Sequence, residues 1–96
     1  MPFIQIIDYE TDRAEEIDAR MREQMQIAGQ PLFTRLDRTQ DQDNPRHYVT
    51  IVEFPTYERA MENNDRPETN RMARELAALC TNGPSYQNLD VQFHMP

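Results

Sequence analysis

Apolar and polar positions along this chain switch between two rhythms. Phe3 to Asp8 (FIQIID) is a short β-branched run and predicts a first strand. Its two faces, Phe3-Gln5-Ile7 and Ile4-Ile6-Asp8, are both largely apolar, as a central strand requires. From Ala14 the spacing becomes helical: Ala14, Ile17, Met21, Met25 and Ala28 form one apolar stripe, with Glu16, Asp18, Arg20, Arg22 and Glu23 mostly outside it. Asp12, with Glu15 three residues on, predicts the cap of that helix, and Gly29 followed by Pro31 predicts its end. Leu32 to Gln40 then predicts a second strand, its Arg35, Asp37, Arg38 and Gln40 suiting a solvated edge. Turn formers fill Asp41 to Arg46, so a hairpin leads into the next strand.

His47 to Phe54 carries the strongest strand pattern. Tyr48, Thr50, Val52 and Phe54 share one face, and His47, Val49, Ile51 and Glu53 the other. Pro55 stops the ladder and Thr56 can cap a helix starting at Tyr57. Asn63 and Asn64 are poor helix formers, Asp65 can cap again with Glu68, and Pro67 fits only a first turn. A short helix over about 57–63 and a longer one over about 66–80 follow. Met72, Leu76, Leu79 and Cys80 make the apolar stripe of the longer one, and Gly83-Pro84 end it. Alternation of Leu89, Val91 and Phe93 against Asp90, Gln92 and His94 predicts a last strand over Leu89 to Met95.

The element order is β-α-β-β-α-β. Right-handed crossovers turn it into a four-stranded antiparallel sheet, spatial order 4-1-3-2, with the helices on one face. Central strands one and three are apolar on both faces and edge strands two and four are more polar, as that order demands. The consequence is an uncovered apolar sheet face. Leaving it wet costs about 25 cal/mol per Å², and contiguous patches of this kind are uncommon on soluble monomers. A second copy packed sheet to sheet, a homodimer, is the expected cover.

Composition narrows the partners. Ninety-six residues make one domain over 1–96, and a net charge of −7 argues against nucleic acid. All ten basic residues are arginines, scattered along the chain. One cysteine, Cys80, excludes an intrachain disulfide and a Cys-based metal site, and fits a cytoplasmic setting. No leader pattern follows Met1, and no apolar run approaches the roughly 20 residues of a membrane-spanning helix.

The βαββαβ order and the passage Tyr48 to Ala60 (YVTIVEFPTYERA) resemble the dimeric α/β barrel superfamily of ferredoxin-like folds. Arg66-Pro67-Glu68-Thr69, Leu76 to Cys80 and Asn88 to Val91 are similar to uncharacterised antibiotic biosynthesis monooxygenase-like proteins of actinobacteria. The resemblance implies an α+β barrel of two subunits with a ligand between sheet and helices. Some such proteins oxidise aromatic polyketides without metal or flavin, so no cofactor is expected. The chain departs from the haem-degrading members: it has no Trp, Asn63 stands about where theirs is expected, and the first strand carries Gln5 and no Asn.

No catalytic motif stands out. His94 could act as a base or orient a ligand, or be a solvent-facing residue near a frayed end. Tyr48 is the other candidate base, with Arg66 or Arg35 to hold an anion. Tyr48, Thr50 and Tyr57 could present hydroxyls to a small apolar or aromatic ligand, or simply pack. Asn63, Asn64 and Arg66 mark a helix break that could line a pocket mouth, and Gln92 shares the polar face of His94. His47 reads as a solvated hairpin residue that would pair with a carboxylate if buried. The methionines and Cys80 read as core. A non-catalytic ligand-binding or structural dimer fits the same residues, because no acid–base cluster converges.

Overall fold

The computed structural model describes residues 1–96, apart from the side chain of Ala28. Its elements are β1 (Phe3–Glu10), α1 (Ala14–Ala28), β2 (Arg35–Gln40), β3 (His47–Phe54), α2 (Tyr57–Asn64), α3 (Pro67–Leu79) and β4 (Asn82–Asp90). The strands form one antiparallel sheet in the order β2-β3-β1-β4, which is 4-1-3-2 read from the other edge. This is the βαββαβ, ferredoxin-like α+β arrangement. Among the described residues no helix is long and apolar enough to cross a membrane.

Strand β3 alternates half-buried and buried along its whole length, with Tyr48, Thr50, Val52 and Phe54 on the covered side. The helices cover that side in two core clusters. One joins Tyr9, Ile17, Tyr48, Leu76 and Leu79; the other joins Phe3, Val52, Phe54 and Ala60. On the opposite face Ile6 pairs with Ile51, flanked by Ile4, Val49 and, across β1, Leu89. The apolar face inferred from the sequence is therefore present, and among the described residues no element covers it.

Several local signals resolve differently from their sequence reading. Strand β4 is Asn82–Asp90 rather than Leu89 to Met95, so Gly83-Pro84 lie inside it instead of ending α3. Proline is tolerated there because β4 is an edge strand and its pairing with β1 shifts register between Asp8 and Glu10. Gly83 has φ +86°, and a Cβ on it would stand 2.9 Å from the Asp8 carbonyl oxygen, so only glycine fits. Asp12 does not cap α1. It pairs with Arg46 at 2.6 Å, while the Thr11 hydroxyl accepts from the Arg13 N–H and donates to the Leu79 carbonyl at 2.7 Å. Asp65 closes α2 instead of opening α3, whose N-cap is Arg66 with Pro67 in the first turn. Thr56 caps α2 by accepting from the Arg59 N–H. Strand β1 runs two residues past Asp8, and β2 begins at Arg35 rather than Leu32. The predicted stripe of α1 holds for buried Ile17, with Met25 exposed; the side chain of Ala28 lies outside the described residues.

His47 is not simply solvated. Its Nδ1 lies 2.7 Å from Asp41 and its Nε2 2.9 Å from Asp8, tying the β2–β3 turn to β1. Hydrogen bonds to Asp41 and then Asp8 raise the His47 pKa, and the same contact lowers that of Asp41. A raised histidine stabilises the fold fully below its unfolded value near 6.5, and that contribution is lost as pH rises through the folded pKa. The lowered Asp41 acts in the other direction: its contribution is present above about 3.8 and lost as pH falls through its folded pKa. His47→Gln should therefore lower the Tm more at about pH 5.5 than at about pH 9. Equal losses at both values in a thermal scan would show that the carboxylates do not hold the imidazolium.

Candidate functional site

Between the sheet and helices α1 and α3 lies a cavity of about 780 Å³, within the usual range for small-molecule sites. Its floor is the covered side of the sheet. Ile7 and Tyr9 of β1, Leu36 of β2, Thr50, Val52 and Phe54 of β3, and Tyr86 of β4 all point into it by strand alternation. Met21 and Met25 of α1 and Met72 and Leu76 of α3 form the roof. Met side chains adapt easily to the shape of an occupant. Polar side chains line it mainly at the α2–α3 end. Gln5 donates to Asn88 across β1 and β4 at 3.2 Å. At the α2–α3 junction Asn63, Asn64 and Arg66 join the lining, and Arg66 reaches the Gln30 carbonyl in the α1–β2 connection at 3.4 Å.

One corner of the floor carries a layered group. Tyr9 is 2% exposed and stacks on Tyr48, ring centroids 5.9 Å apart at 18°. Arg38 lies over the other ring, its Cζ 4.9 Å from the Tyr48 centroid. Asp18 of α1 fixes that guanidinium through two contacts of 2.7 Å, to Nε and Nη2. Burial pushes the Tyr9 phenol up, against the weaker pull of Thr50 and Arg38 in the other direction, so it keeps its proton at neutral pH. Burial also raises Tyr86 and Cys80, which argues against a reactive thiolate. Among the described residues no three His, Cys, Asp or Glu side chains gather as a metal site.

The structure brings together Thr50, Asn63 and Arg66 of the predicted residues in the cavity lining. Tyr48 lies beneath Tyr9 on the same side of the sheet, and Gln40 reaches its hydroxyl at 3.3 Å. Tyr57 packs edge-on against Phe3, ring centroids 5.4 Å apart, and is 53% exposed. Gln92 and His94 follow the end of β4 and are exposed, away from the lining. Arg35 is on the opposite sheet face, paired with Asp37 at 3.0 Å. Sequence reasoning passed over Tyr9, Tyr86 and Asn88. The signal for Tyr9 was available: it continues the Phe3-Gln5-Ile7 alternation.

No protein-family model and no curated protein matches the chain. Solved structures do. A mutant form of SnoaB, a cofactor-independent oxygenase from Streptomyces nogalater, aligns with a TM-score of 0.82 and 18% identity, over 99% of this chain and 97% of that one. The protein Rv0793 from Mycobacterium tuberculosis gives 0.77 and 13% over 100% of both chains. An antibiotic biosynthesis monooxygenase gives 0.73 and 22%, over 95% of this chain and 98% of that one. The fold is that of the antibiotic biosynthesis monooxygenases. At these identities the likeness is one of fold; activity has to be argued from the cavity.

Proposed function

We propose that this chain is a homodimeric protein of the antibiotic biosynthesis monooxygenase type that takes a small aromatic, polyketide-like compound into its cavity and oxidises it without metal or flavin. The observation that carries the reading is the cavity itself: about 780 Å³, its surface mostly apolar, floored by aromatic rings, with polar side chains gathered at its α2–α3 end. The cofactor-independent oxygenase SnoaB shares the fold over nearly the whole chain. Such a reaction needs an electron-rich substrate that gives up a proton and an environment that steadies the resulting anion. Arg66 at the α2–α3 junction and Thr50 on the floor are placed to do the second. The dimer reading rests on the apolar residues of the uncovered face, above all the Ile6–Ile51 pair.

A second reading is a ligand-binding dimer without catalysis. What favours it is that Glu68 is the lone carboxylate of the lining and neither histidine belongs to it. The two separate in one experiment. Polycyclic phenols are added to the purified protein, and thermal stability and oxygen uptake are followed together. The oxygenase reading expects a rise in Tm with ligand-dependent oxygen consumption above the protein-free rate. A rise without uptake leaves the binder, and no rise with any member of the panel overturns both.

A further inference from the structure

Tyr9 lies on the floor of the cavity, and its surroundings limit what its proton can do. Arg38 has donors only, so it cannot take the phenolic proton. Thr50 of β3, opposite Ile7 and diagonal to Tyr9 in the register, is 3% exposed and lines the same floor. Tyr9 is 2% exposed and lines the cavity, and among the described residues its hydroxyl makes no hydrogen bond, so its proton is free for an occupant. A buried hydroxyl that opens on a cavity and lacks a partner asks for an acceptor, and a ligand oxygen supplies one.

We propose that Tyr9 is the hydrogen-bond donor that orients the ligand, meeting a carbonyl oxygen on an aromatic ring system, with the Tyr48 ring holding the phenol in place and the Thr50 hydroxyl beside it on the floor offering the same oxygen a second, weaker contact. The proposal rests on reading the cavity as a ligand site. Stacking on Tyr48 fixes the ring plane, and the Asp18 bridge fixes the guanidinium that lies over Tyr48. The ligand's apolar body lies along Met21, Met72 and Phe54.

The test uses two probes of nearly the same shape, 1-acetonaphthone and 1-ethylnaphthalene, bound to the whole protein and measured by calorimetry. The unmodified protein should prefer the ketone by about threefold to tenfold, the worth of one ordinary hydrogen bond. Tyr9→Phe should abolish that preference while binding the hydrocarbon as before. Thr50→Val should reduce the preference without abolishing it, and it provides a second reading should Tyr9→Phe fail to fold. A ketone preference that survives Tyr9→Phe, or no preference in the unmodified protein, overturns the role of Tyr9 and leaves the ligand site standing. If neither probe nor any polycyclic phenol binds, the site reading falls and the proposal falls with it.

Discussion

Phe54→Ala is expected to cost about 3–5 kcal/mol of folding stability, measured as a shift in a urea unfolding curve. Phe54 is 1% exposed and anchors the cluster with Phe3, Val52 and Ala60 at the end of β3. It also forms part of the cavity wall, so truncation enlarges an existing hollow that the surrounding helix cannot close. A domain of this size has only about 5–15 kcal/mol in all. The variant should sit near the edge of unfolding at room temperature. A loss below about 1 kcal/mol would mean that the cluster is not organised around this ring.

Ile51→Asp should turn a dimer into a folded monomer on size-exclusion chromatography. Ile51 lies opposite Ile6 in the middle of the uncovered face, and a carboxylate there would be trapped unpaired between two sheets. A penalty of about 3 kcal/mol weakens association more than a hundredfold. Val52→Asp is the informative control. Val52 is next in sequence but points to the cavity side, where a charge should disrupt the fold itself. A monomeric unmodified protein, or a dimer that survives Ile51→Asp, would remove the sheet-to-sheet model.

Much of the architecture was legible because period-two alternation is a strong signal when both faces of a strand are apolar. The faces of β3 and the central place of β1 follow from it, while the break between α2 and α3 follows from Asn63, Asn64 and Pro67. What was not legible came from residues with two competing uses. Asp12 could cap α1, but Arg46 offers it an ion pair and Thr11 takes over part of the capping. Gly83-Pro84 looks like a helix stop, yet an edge strand with a shifted register accommodates both. Tyr9 was hidden by the acidic residues on either side of it, since Asp8 and Glu10 face away from the core and make the end of β1 look like a loop. The lining residues Thr50, Asn63 and Arg66 could be named from their elements. The Tyr9–Tyr48–Arg38 layer could not, because it depends on the register between three strands.

The two rims of the sheet give the protein a direction of assembly. β2 presents Arg35 and Asp37 along its length, with β3 on one side and no strand on the other. At the opposite rim β4 carries Pro84, which has no N–H to offer a newcomer. Both lateral borders are thus poor templates for another strand, while the broad apolar face remains attractive. Copies of this chain can meet by stacking and are discouraged from joining side by side. A pair stacked through that face, as proposed, would close on itself rather than extend into a fibre.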